Sequence, residues 1–189
     1  MPRNPLQTRL RILTAAGNLF SRHGFCATTL EDILTAAGIT KGAFYHYFKS
    51  KEDVCTALLE EALESTRRLF LSLAESNPYE AFEQWISRIM DGSSQEGLAF
   101  RLVLRLSDEA AVFHGPVPDR FSLFWAEQAG GLEKILASFQ SEQGLRLDLR
   151  SSALLLLSTA VGLIRLQNTV PAGLPTESLL KTALRLILS

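Results

Sequence analysis

Apolar residues recur at three- and four-residue steps along almost the whole of this 189-residue chain, and strict alternation persists nowhere. Strands require a period of two and helices one of 3.6, so the spacing predicts an all-α fold. Punctuation divides the pattern. A first helix is expected over Leu6–Arg22, with Leu6, Leu10, Leu13, Ala16, Leu19 and Phe20 as its buried stripe and Gly24 as its stop. Thr29 opens a second helix, with Asp32 completing a capping box and Ile33 and Leu34 facing inward. Gly38 provides the turn, and Thr40 caps a short third helix. Ser50, with Asp53 three residues on, caps a long fourth that reaches about Glu75. Five more helices are expected, over Pro78–Met90, Gly97–Phe113, Pro118 or Asp119 to Ser141, Leu147–Asn168 and Thr176–Leu188, about nine in all.

Hydrophobic residues make up 47% and charged residues 21%, the balance of a folded chain long enough to bury a core. The basic N-terminus lacks an apolar run of the signal-peptide kind, and the densest apolar run, residues 153–164, is short for a bilayer span. A cytoplasmic protein with no membrane partner is therefore expected. Two widely spaced cysteines, Cys26 and Cys55, fit a reducing compartment and no metal-ligand pattern. The sequence lacks His-Glu-x-x-His, Gly-x-Gly-x-x-Gly, Walker and Gly-x-Ser-x-Gly motifs, so neither an enzyme nor a cofactor is expected.

The overall charge of −1 hides an asymmetry. Residues 1–50 carry six Lys or Arg and two acids, a net +4, whereas the remainder carries a net −5. A basic first quarter on an acidic body suggests that the first quarter meets a polyanion. Two short helices joined by "AAGIT" read as a helix-turn-helix, with Ile39 plugging the gap between them. On the third helix Phe44, Tyr47 and Phe48 share one face, the expected anchor of an element too short to be stable alone. Lys41, Gly42, Ala43, Tyr45, His46 and Lys49 face elsewhere, and Lys51 starts the next helix. Lysines and a tyrosine hydroxyl suit phosphate, His46 suits phosphate or a base edge, and Gly42 and Ala43 allow close approach to a groove. Thr28 and Thr29 add hydroxyls.

Residues 9–54, carrying "ILTAAGNLFSRHGFCATTLEDILTAAGITKGAFYHYFKSKEDV", resemble the N-terminal domain of the TetR (tetracycline-repressor-like) family of bacterial transcriptional regulators. The match rests on Gly-Phe, Thr-Thr, Ala-Gly-Ile, Lys-Gly, Tyr-His-x-Phe and Ser-Lys-Glu in order; Leu34 departs from the family's usual Ala. The resemblance implies a DNA-binding domain at 1–50 and a helical ligand-binding and dimerisation domain at 51–189. It also implies a homodimer on a palindromic DNA operator, repression by default, and Thr29, Thr40, Lys41, Gly42, Tyr45, His46 and Lys51 at the DNA.

The helix over 147–168 is apolar almost all round, which suits burial on two sides. Together with the last helix it is expected to form a dimer bundle through Leu154, Leu157, Val161, Ile164, Leu180, Leu184 and Ile187. A cavity for a small-molecule effector, as the resemblance implies, is expected among Phe70, Trp85, Phe100, Arg101, Arg105, His114, Phe121 and Trp125, with Glu127 and Gln128 as further polar candidates. The alternative signals are thiol oxidation at Cys26 or Cys55 and a metal at Asp108, Glu109 and His114.

Overall fold

A computed structural model describes residues 5–143, 146, 148–167 and 174–189. Among them are nine α-helices and no strand: α1 (Pro5–His23), α2 (Leu30–Ala37), α3 (Lys41–Tyr45), α4 (Lys51–Leu73), α5 (Pro78–Met90), α6 (Gln95–Ser107), α7 (Val117–Gln143), α8 (Leu149–Gln167) and α9 (Thr176–Leu188). A single 3-10 turn, Ala110–Val112, lies between α6 and α7. The expected ends of the eighth helix, Leu147 and Asn168, lie outside the described residues.

Local chemistry explains the boundaries. The amide of Asp32 donates to the Thr29 hydroxyl while the Asp32 carboxylate accepts from the Thr29 amide, so α2 opens on a full capping box. Asn77 caps α5 with Pro78 in its first turn, where a missing N–H costs nothing. Ser94 accepts from the Gly97 amide and starts α6 two residues earlier than expected. That helix stops at Ser107 instead of running to Phe113, and the 3-10 turn follows.

The buried face of α1 differs from the expected stripe. Ile12, Leu13, Ala15, Ala16 and Phe20 are buried, but Leu6 is 77% and Leu10 61% exposed. Leucine-rich spacing pointed to one row. Packing keeps Leu13, Ala16 and Phe20 of that row and adds Thr8, Ile12 and Ala15 beside it, so the buried face shifts only at its N-terminal end.

The chain forms two compact units, Met1–Ala62 with Arg101–Ser122, and Leu63–Phe100 with Leu123–Ser189. The division expected between residues 50 and 51 falls within the first unit, which takes in the start of α4 and the 101–122 segment. In that unit Phe20, Phe25, Phe113 and Phe121 follow one another with ring centroids 5.4, 4.5 and 5.5 Å apart. Glu109 accepts from the Cys26 amide at 2.7 Å, and Arg105 donates to the His23 carbonyl at 3.1 Å. In the second unit the Trp85 indole donates to Gln128, and the Gln128 amide donates to Thr66, a satisfied polar chain in an apolar core. There α9 packs on α8 and α5.

Candidate nucleic-acid interface

The helix-turn-helix is α2, a three-residue turn and α3. Gly38 ends α2 at φ 60°, the left-handed conformation that a glycine takes without strain. Its amide and that of Ile39 return to the carbonyls of Thr35 and Leu34, closing the helix end. Arg11 on α1 donates to the carbonyls of Ala37 and Gly38. The turn is thus held from the first helix, a contact across 26 residues that spacing alone does not reveal. Thr40 then caps α3 by accepting from the Ala43 amide.

α3 ends at Tyr45, so Tyr47, Phe48 and Lys49 follow the helix instead of lying on it, yet an inner and an outer face still separate. Phe44 is fully buried and Phe48 nearly so, their rings 6.0 Å apart. Tyr47 is half-buried and meets His46 edge-on. Lys41, Gly42, Tyr45, His46 and Lys49 are exposed, and Ala43 is half-buried. Tyr45 rests an edge against Phe44 while half of its surface reaches solvent, so its hydroxyl is presented on a braced ring. A Cβ added at Gly42 would meet nothing within 4 Å. No neighbour in the chain requires glycine there.

Two of the expected contact residues are engaged elsewhere. Thr28 is 1% exposed, and its hydroxyl donates to the Gly24 carbonyl, so it is a loop fastener and not a groove contact. Lys51 donates to the carbonyls of Phe25 and Thr28 and lies 4.0 Å from the centre of the Phe25 ring. Its ammonium anchors the loop before α2. Thr29 and Thr40 are exposed, and their hydroxyls serve as helix caps.

A family model for bacterial regulatory proteins of the tetR family matches residues 12–58, which span the end of α1, the helix-turn-helix and the start of α4. Residues 12–58 thus carry the N-terminal domain of the TetR family. Over 63 residues it is 40% identical to the HTH-type transcriptional repressor KstR2 of Mycolicibacterium smegmatis, a match covering 33% of this chain and 31% of that one. A solved TetR-family regulator from Agrobacterium tumefaciens is 21% identical and has the same fold, with a TM-score of 0.81 over 98% of this chain and 97% of that one. A solved γ-butyrolactone receptor, an ArpA-like protein, is 28% identical with a TM-score of 0.68, over 96% of each chain. The chain spans less than two thirds of the length of the curated relatives that it matches.

The second unit holds a cleft of about 740 Å³ between α4, the start of α5 and the middle of α7. Of the expected ligand residues only Phe70 lines it. Trp85 and Phe100 are fully buried in the core, and Trp125 packs edge-on against Phe100 and Phe124. Arg105 is taken up by His23 and Glu109, and Phe121 meets Phe113 edge-on. Arg101 and His114 are likewise outside the lining. Gln128 is engaged by Trp85 and Thr66, whereas Glu127 does line the cleft. The expected set chose the largest aromatics, and of these Trp85, Phe100 and Phe121 fill the core.

The expected dimer residues also divide. Leu157, Ile164, Leu180 and Leu184 are buried within the chain itself. Leu154 is exposed, and Val161 and Ile187 are half-buried. Leu155, Leu166, Leu179 and Leu186, outside the expected set, are exposed too, Leu186 at 73%. By length and composition α8 as a whole is apolar enough to cross a membrane, although its 153–164 run alone is short for a span; a third of the qualifying window is buried inside the molecule.

The thiols differ in reactivity. Burial, reinforced by Glu52, pushes the Cys55 thiol up to about 12. Cys26 is exposed, and its thiol is held above the ordinary value by donation to the Glu109 carboxylate. Both shifts keep the sulfur protonated and slow its oxidation. Among the described residues no group of three His, Cys, Asp or Glu is arranged to hold a metal.

Proposed function

We propose that this TetR-family protein is a cytoplasmic DNA-binding transcriptional regulator. In this reading it represses from a palindromic operator as a homodimer and is released by a small-molecule effector. The observation that carries it is the two-sided α3: Phe44 fixes the helix from within, while Lys41, Gly42, Tyr45 and His46 stand exposed on its outer side. Lysine and tyrosine hydrogen bonds to phosphate set register, and the bare backbone at Gly42 lets the helix sit deep enough for base edges to be read. So short an element reads few base pairs, and a two-fold pair with half-sites about 34–36 Å apart supplies the missing specificity.

The exposed leucines of α8 and α9 support the dimer. Leu154, Leu155, Leu166, Leu179 and Leu186 are five large apolar side chains that the chain leaves in water. Packing against the same face of a second copy would cover them. The cleft along α4 and α7 supports a small organic effector, as does the description of one structural relative as a γ-butyrolactone receptor. A ligand that favours one spacing of the two recognition helices shifts the population toward or away from the DNA-bound form. The protonated thiols and the lack of a metal cluster among the described residues favour this signal over thiol oxidation or metal binding.

A mobility shift on the DNA upstream of the protein's own gene tests the reading. Lys41→Ala and Tyr45→Phe are expected to weaken the complex without changing the thermal melt. Each lost phosphate contact should lower the salt slope by about 1. Unaltered binding by both variants would overturn the face assignment.

A further inference from the structure

We infer that the cleft of the second unit takes an amphipathic monoanion, an apolar body bearing a single negative group. The inference rests on the proposal that this cleft is the effector site. Its wall includes Phe70, Leu73, Ala81 and Ile135, an apolar surface suited to a hydrocarbon or aromatic body. Three ionised side chains also line it, Arg67, Glu127 and Lys134. Arg67 donates to Glu127 Oε1 through Nε at 3.0 Å and Nη2 at 2.9 Å, so those two charges already answer each other. Lys134 is exposed and has no ion pair among the described residues. The lining therefore carries one positive charge in excess. One negative group on the ligand matches it; a cation is repelled, and a second negative charge has no counterpart in the lining.

The glycine pair of α7 is the second observation. Gly130 and Gly131 lie inside a 27-residue helix, where glycine is less favourable than alanine. Gly131 has an internal reason, since a Cβ there would fall 2.3 Å from the Phe70 ring. Gly130 has none, since a Cβ would meet nothing within 4 Å, and it lines the cleft. A helix interior that forgoes a side chain facing open space keeps that space free. With Ala74, Ala81 and Ala126 also in the lining, small residues create the volume, which lies within the roughly 300–1,000 Å³ of small-molecule sites.

Two probes of like shape and different charge test the class on the full chain: 4-butylbenzoate and its neutral counterpart 4-butylbenzamide, titrated calorimetrically. The benzoate is expected to bind at least tenfold more tightly than the amide. Lys134→Gln should remove that preference and leave amide affinity unchanged, and Gly130→Leu should weaken both probes at least tenfold. Ala126→Leu serves the same purpose should Gly130→Leu fail to fold. Equal binding of the two probes, or a preference that survives Lys134→Gln, overturns the monoanion. Binding of neither probe, or binding indifferent to both filling variants, overturns the cleft as the binding site. Benzoate binding that passes these tests and leaves DNA affinity unchanged upholds the ligand class and overturns the effector reading.

Discussion

Single side chains on α3 separate folding from recognition. Phe44 fills a core position with no exposed surface, so Phe44→Ala should cost about 3–5 kcal/mol and abolish DNA binding by unfolding the first unit. Urea denaturation of the full chain checks this. Gly42→Ala should do the reverse. The added Cβ meets nothing in the chain and favours helix, so stability should rise by up to about 1 kcal/mol. Operator affinity should nevertheless fall, because the methyl group occupies space that the groove wall needs. The cysteines give a chemical check. At about pH 8 iodoacetamide should leave Cys55 untouched and modify Cys26 slowly; Glu109→Gln, which removes the carboxylate acceptor, should hasten the Cys26 reaction in a mass-spectrometric time course.

Among elements, the ends of helices were the most legible feature of the sequence, because capping is a transaction among neighbours. Thr29 with Asp32, Thr40, and Ser50 with Asp53 each make the bonds that their spacing implies. The Thr29 hydroxyl and amide hold the Asp32 carboxyl below its ordinary value of 3.8. A lowered value in the folded chain means that the stabilisation is present above 3.8 and is lost as pH falls through the folded value. Asp32→Asn should therefore be less stable than the parent at neutral pH and converge with it near pH 2 in urea titrations. Contacts between elements were less legible. Nothing in local spacing links Arg11 to Ala37, Lys51 to Phe25, or Glu109 to Cys26, 83 residues apart. The buried stripe of α1 was misplaced at its N-terminal end for a related reason, while Leu13, Ala16 and Phe20 are buried as expected. Apolarity favours the row of Leu6 and Leu10, but interhelical distance is set by the small side chains of the adjacent row.

At the scale of the whole molecule, periodicity revealed an all-helical chain and motif order revealed its family, since both are written in consecutive residues. Which leucines of α8 and α9 face outward depends on how the bundle closes, and so four of the seven expected dimer residues are buried within the chain. Apart from Phe70 and Glu127 the lining of the cleft was illegible, because its space comes from what is absent, at Gly130 and the alanines, whereas the sequence displays what is present. If the exposed leucines meet a second copy, Leu155→Asp with Leu186→Asp should yield a folded monomer by sedimentation and weaken operator binding steeply. A parent chain that is monomeric at micromolar concentration would defeat the dimer. The central claim, that α3 reads DNA in two-fold pairs, is tested most directly by selecting binding sites from random duplexes with the purified chain. The account predicts an enriched palindrome with half-sites about one helical turn apart, retained by the parent and lost by Lys41→Ala. No enrichment, or an enriched sequence that Lys41→Ala and Gly42→Ala bind as tightly as the parent, would contradict it.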